Sequence, residues 1–306
     1  MDLSFLIDSA LFASVVRALI PILLAALGGL ICERAGIFNI ALEGLILVGA
    51  FGAVAGSYFS GSSFVGVLVA VAGAMAFSLI LAFGSVTRKA EPIVLGVAMN
   101  ILAVGITSFL LVGIFDTKGT FNDPGIIGLP KIAIPGLSSI PWLGPAVFNL
   151  TILGYLALLL VPAIHIMLFR MPVGMRLRGV GERPLAAQTL GVNPSKYQYL
   201  AILASGALTG LAGAQLSLGN VVQFAEDMSA GRGWIAVVAV MLARANPTAT
   251  LGAALLFGFA EAAGYRFQAY GMPSQITEVA PYVVTLIALL FAAKYFRRSV
   301  MTMEVP

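Results

Sequence analysis

Two stretches, "FVGVLVAVAGAMAFSLILAFGSV" (64–86) and "IVLGVAMNILAVGITSFLLVGIF" (93–115), each run 23 residues without a charged side chain. A bilayer core of about 30 Å takes roughly 20 apolar residues as a helix, and a run this long has few other ways to satisfy its backbone. Comparable apolar runs fall at about 15–32, 42–59, 149–169, 199–219, 232–245, 251–267 and 280–296. Only 10% of the chain is charged and its mean hydropathy is +1.02, against about 25% charged residues in a soluble domain. The alternation of a barrel strand is absent. The chain is therefore expected to be an all-α polytopic membrane protein. About 8–10 transmembrane helices are predicted, broken or re-entrant segments included, in a single domain over 1–306. The run 232–245 is short and stops at Arg244 before "ANP". A bend there, continuing as 251–267, makes it a half-span.

Charge excludes several function classes and sets an orientation. The net charge of +4 lies mostly between apolar runs, where the positive-inside rule puts it, so it is no nucleic-acid signature. Arg170, Arg176, Arg178, Arg183 and Lys196 make the loop 170–198 cytoplasmic; Arg88 and Lys89 mark a second such loop. Lys294, Arg297 and Arg298 make the C-terminus cytoplasmic as well. Residues 116–148, with five prolines, Asp116 and Asp123, then face outward. The first apolar run lacks a basic n-region and a small-residue cleavage site, so it reads as a retained helix. One Cys (Cys32) and one His (His165) exclude a disulfide and a metal cluster; His165 reads as a packing residue. No zincin pair or "GxSxG" elbow is present. No Gly is followed by Lys, so the chain has no phosphate-binding "GK[ST]" loop and no ATP site of that kind.

Against this background "ICERAGIFNIALEG" (31–44) places Glu33, Arg34, Asn39 and Glu43 where an apolar helix should continue. Such charges cost at least about 2.5–3.5 kcal/mol on insertion scales. If 42–59 crosses once, the motif is cytoplasmic and the N-terminus outside; if the N-terminus is inside, 34–59 must make a broken double passage. On a helix Asn39 and Glu43 share a face, which suits a solute-lining role. Alternatively, Glu33 or Glu43 pairs with Arg34 or caps a broken helix end. Asn100, mid-span in "VAMNILAVGIT", fits either packing or lining. Phe38, Phe115 and Trp234 are candidates to stack on a base, or to pack. Glu261 and Arg266, five apart, read as partners of other helices.

The loop "MPVGMRLRGVGERPLAAQTLGVNPSKYQY" (171–199) offers a handle. Pro172 and Gly174 end the preceding helix. "ERPLAAQTLG" predicts a short helix with Pro184 in its first turn and Gly191 at C′. Ala186, Ala187 and Leu190 give it a small apolar face. A new helix follows from "NPSKYQY". Further on, Gly206, Gly210, Gly213 and Ala214 predict close helix packing inside the bundle.

"MPVGMRLRGVGERPLAAQTLGV" followed by "SGALTGLAGA" resembles the coupling region of ATP-binding-cassette importer permeases of the branch that includes branched-chain amino acid, ribose and nucleoside systems. "CERAGIFNIALEGLILVGAF", "VLGVAMNILAVGITSFL" and "MSAGRGWIAVVAV" resemble the nucleoside-uptake permeases that work with basic-membrane-lipoprotein binding proteins. The similarity runs from about 15 to 296; the departure is "MLARANPTAT", where relatives continue through Gly and Trp before Pro.

The resemblance implies a non-catalytic permease in a bacterial cell membrane that imports nucleosides delivered by an outer lipoprotein. It implies a separate ATPase that uses the ATP, a second and often unlike permease, and no cofactor in this chain. Gly181, Glu182, Ala186, Ala187 and Gly191 become the ATPase-coupling candidates, and Asn39, Glu43, Asn100 and Phe38 the solute-pathway candidates. Permeases for riboflavin, purines or sugars share the design. A proton-coupled carrier using Glu43 is opposed by the lack of an internal repeat.

Overall fold

The computed structural model describes residues 9–133 and 148–269, together with position 283. The elements are α1 (Ser9–Arg34), α2 (Leu42–Ser60), α3 (Ser63–Ala82, extended by a π-helical turn Phe83–Thr87) and α4 (Pro92–Phe115). They continue with α5 (Ile152–Arg170), α6 (Pro172–Glu182), α7 (Pro184–Thr189) and α8 (Pro194–Ala214, extended by a π-helical turn Gln215–Val221). α9 (Arg232–Leu242) and α10 (Pro247–Ala269) complete the described bundle. Six of these are long and apolar enough to cross a membrane. α9 is the predicted half-span, separated from α10 by the turn before Pro247. The predicted span 280–296 and the cations Lys294, Arg297 and Arg298 lie outside the described residues, apart from position 283.

Depth in the bundle follows composition. α1 is almost wholly enclosed, with Ile22 through Leu27 at zero exposure, and it packs on α8, α9 and α10. α3, α4 and α5 form the rim. Ile101, Phe109 and Leu159 are 71%, 74% and 66% exposed; in a chain this apolar such faces meet lipid, not water. The glycine-rich stretch of α8 packs inside the bundle, as expected. Gly210 lies between α2 and α3, and Gly213 lies against the α2 backbone, where an added Cβ would stand 2.3 Å from the Ile46 carbonyl oxygen. Without a hydrophobic drive between helices in lipid, close backbone approach supplies the contact.

The bundle has two chemically distinct ends. One gathers Arg34, whose guanidinium lies 5.4 Å over the Phe169 ring, Arg178, which lies 5.0 Å over the same ring, and the Thr87–Tyr199 hydrogen bond. This cationic end carries the loop 170–198. The other end holds an aromatic cluster in which Phe115 and Phe121 stack at 4.1 Å. Two short antiparallel pairs sit there: β1 (Thr120–Phe121) with β4 (Phe224–Ala225), and β2 (Lys131–Ala133) with β3 (Asn149–Thr151). The prolines of 134–147 lie outside the described residues. α1 begins at this second end, where Ala13 and Arg17 neighbour Lys131 and Asn149, and finishes at the cationic end.

Candidate functional site

α1 stops at Arg34 through a glycine cap. Gly36 has φ 81, its N–H donates to Glu33 O at 3.0 Å, and Ile37 N–H donates to Cys32 O at 3.0 Å. These are the paired bonds of a Schellman motif, which favours Gly in the left-handed region. The chain then turns back into the bundle without forming a helix. α8 serves as a ruler for its depth. Gln198 Nε2 donates to Ala35 O, Cys32 Sγ donates to Ala201 O, and Asn39 Nδ2 donates to Ser205 Oγ at 3.0 Å. From Ala35 to Asn39 the chain climbs seven residues of α8, about 10 Å at 1.5 Å per residue. α2 therefore starts within the bundle and runs to the aromatic end as one continuous helix. The two topologies left open by the sequence resolve into a mixture: one crossing, entered through a short re-entrant segment.

Non-helical backbone at this depth survives only if its polar groups are satisfied inside the protein. Polar side chains of the motif and of α4 do this. Asn39 Oδ1 accepts from Ala41 N–H at 2.9 Å. Asn100 Nδ2 donates to Ile40 O at 3.0 Å, and its Oδ1 accepts from Gly44 N–H at 2.8 Å, capping the start of α2. Glu43 reaches across to the start of α9, where Oε1 accepts from Gly231 N–H at 2.8 Å and Oε2 from Gly233 N–H at 2.6 Å. A carboxylate here meets both the unpaired N–H groups and the positive end of the α9 dipole. Asn39, Glu43 and Asn100 are all buried. Of the alternatives for Glu43, capping a broken helix end is the geometry found. Arg34 pairs with neither acid: its Nε and Nη2 donate to the carbonyls of Ala245 and Arg244 at 2.7 and 3.1 Å. Phe38 is half-buried on the flank of this vertex, Phe115 belongs to the aromatic cluster, and Trp234 is 41% exposed.

One group the sequence reading passed over completes the vertex. Arg232, the first residue of α9, pairs with Glu261 of α10 and donates to Tyr265 Oη at 3.1 Å and to the carbonyls of Met228 and Ser229. The signal was present as a cation inside "SAGRGW", which in an apolar run demands a partner. Glu261 does pair with another helix, as expected, and His165 packs at 4.9 Å on Phe169.

The handle is built from two helices rather than one. α5 does end before Pro172, at Arg170, but Pro172 opens α6 and Gly174 lies inside it, with Leu177 and Val180 buried against the bundle. α7 then spans six residues and closes with Gly191 at C′, φ 79. Ala187 turns inward, while Glu182, Leu185, Ala186 and Leu190 point to solvent, with Leu185 and Leu190 at 80% and 83% exposure. The outward apolar face is therefore Leu185, Ala186 and Leu190, not the predicted set containing Ala187. At the α6 end Gly181 meets the motif: an added Cβ would lie 2.3 Å from the Arg34 carbonyl oxygen and 2.9 Å from Gly36 N. The handle and the re-entrant segment touch backbone to backbone.

The family described as the permease component of the branched-chain amino acid transport system matches residues 11–293. The chain belongs to this family. Among curated relatives, the permease is similar to the guanosine ABC transporter permease protein NupQ of Bacillus subtilis, with 36% identity over 94% of this chain and 93% of that one. It is 34% identical, over 93% of its own length and 92% of the relative's, to TsgC13 of Haloferax volcanii, an ABC transporter permease whose name assigns it provisionally to glucose. Among solved structures, an inward-facing metal-chelate type ABC transporter shares the fold, with a TM-score of 0.52 at 17% identity over 95% of the permease and 85% of that chain.

Proposed function

We propose that the permease is one transmembrane subunit of an importer that carries nucleosides into the cell, received from an extracytoplasmic binding lipoprotein. The cationic end faces the cytoplasm. A separate ATPase, which consumes the ATP, docks on the Leu185, Ala186 and Leu190 face, with Glu182 beside it. A second, unlike permease completes the membrane unit, and this chain holds no cofactor of its own.

The observation that carries the coupling role is the backbone contact of Gly181 with Arg34 and Gly36. It joins an exposed handle to a re-entrant segment whose far end holds α2 and α9 together through Glu43. Movement of α6 and α7 is thereby passed to the start of two membrane helices. Asn39, Glu43 and Asn100 hold that vertex and set the wall past which the solute moves, with Phe38 at its flank. The nucleoside rests on the name of NupQ and on the motif resemblance; a hexose, the second reading, rests on the name of TsgC13. Both are rings rich in hydroxyl donors and acceptors. Uptake of labelled guanosine into proteoliposomes holding the assembled complex, competed with unlabelled adenosine or glucose, separates them. Competition by adenosine alone supports the nucleoside reading, and competition by glucose alone replaces it.

A further inference from the structure

At the cationic end an open cleft of about 370 Å³ is lined by Glu33, Arg34, Phe38, Met241, Arg244 and Ala245. Such a volume lies within the range of small-molecule sites. A separate void of about 10 Å³, which shares Glu33 and Phe38 with the cleft, lies beside Asn39 and Leu42. The walls are rigid for a reason. Arg244 and Ala245 have φ 51 and 49, two successive side-chain-bearing residues in the left-handed region. Arg34 fixes both of their carbonyls. Backbone held in that region is strain that surrounding structure must pin, and it concentrates at functional sites. Glu33 differs: its buried Oε2 accepts no hydrogen bond among the described residues. A carboxylate offers about four acceptor positions and no donor, so its complement must bring O–H or N–H groups.

We propose that this cleft is a release site for the transported solute, in which Glu33 accepts hydrogen bonds from ribose hydroxyls or a purine N–H edge and Phe38 presents its ring face to the base. The solute class rests on the nucleoside reading above; the donor-rich, planar character of the ligand follows from the cleft itself. Stacking on an aromatic face tolerates any base, so the site receives the solute without selecting among nucleosides. Its position beside Arg34 places it next to the Gly181 contact, where a handle movement would open or close it.

The test is photolabelling of the assembled complex in nanodiscs with 8-azidoguanosine, followed by peptide mapping. The wild type labels within 33–42 and 241–245, and excess guanosine protects it. Glu33→Gln, which removes the acceptor charge, and Phe38→Leu, which removes the stacking face, each raise the probe concentration needed for half-labelling about tenfold, while Phe38→Tyr restores it. Assembly with the ATPase and the melting temperature of each variant show that it has folded. Guanosine uptake by the wild-type complex, with labelling elsewhere or unchanged by both substitutions, overturns the release site and leaves the function standing. Absence of guanosine uptake by the wild type overturns the nucleoside reading itself.

Discussion

Replacing Glu43 distinguishes a structural acid from a transporting one. Its two oxygens accept the Gly231 and Gly233 N–H groups at 2.8 and 2.6 Å, in a buried site. Glu43→Ala orphans both donors, at about 1–3 kcal/mol each, or roughly 2–6 kcal/mol together. Glu43→Gln keeps one acceptor oxygen and so orphans one donor, about 1–3 kcal/mol, with about 0.3–2 kcal/mol more for losing the charge at a helix N-terminus. On the scale of about 2–4 °C per kcal/mol for large domains, the alanine variant should melt roughly 4–24 °C below wild type, with the glutamine variant between them. The assay is thermal unfolding of the purified permease in nanodiscs, read by tryptophan fluorescence or by size exclusion after heating. A Glu43→Ala protein that melts within about 1 °C of wild type refutes the capping account. A Glu43→Gln protein with wild-type stability and no uptake would make the carboxylate a solute or proton ligand instead.

Three further outcomes follow from the packing. Gly213→Ala drives a Cβ to 2.3 Å from the Ile46 carbonyl, so the α2–α8 seam must part, with a loss of about 1–3 kcal/mol visible as a lower melting temperature; an unchanged value contradicts the seam. Arg232→Met or Glu261→Leu alone should destabilise by about 3–5 kcal/mol, since each strands a buried charge, whereas the double substitution should return most of that loss in the same melting assay. Additive losses in the double variant would show that the two groups act separately. Leu185→Asp together with Leu190→Asp should abolish co-purification of the ATPase while leaving the melting temperature within about 1 °C, because both side chains are exposed; retained ATPase would move the docking surface elsewhere.

The sequence is most informative where lipid leaves one solution. The uncharged runs 64–86 and 93–115 became α3 with its π-helical turn and α4 almost residue for residue, because a backbone in hydrocarbon must close its own hydrogen bonds. Gly191 was legible as a cap because only local geometry is involved. α6 was read as a break: Pro172 ends one helix and starts the next, and Gly174 is demanded by the close approach of the α5 backbone at Met167 and Leu168, which is a tertiary fact. The re-entrant path of 35–41 needed α8 as a ruler. The N–H partners of Glu43 lie 188–190 residues away and the acid partner of Arg232 lies 29 away, beyond any helical spacing rule. Asn39 and Glu43 would share a face on a continuous helix, and that premise fails because Asn39 precedes α2. What remained readable was the chemistry: amides and a carboxylate at depth must find partners, and here all but one, the Ser205 hydroxyl, are backbone groups.

We propose that this permease moves solute only when a partner ATPase drives its handle. The direct measurement is guanosine uptake into proteoliposomes under a pH gradient, comparing the permease alone with the full complex of both permeases, the ATPase and the binding lipoprotein. The full complex should take up guanosine with ATP, but not without ATP or without the lipoprotein, and the chain alone should take up none. Uptake by the chain alone, driven by the pH gradient, would contradict it.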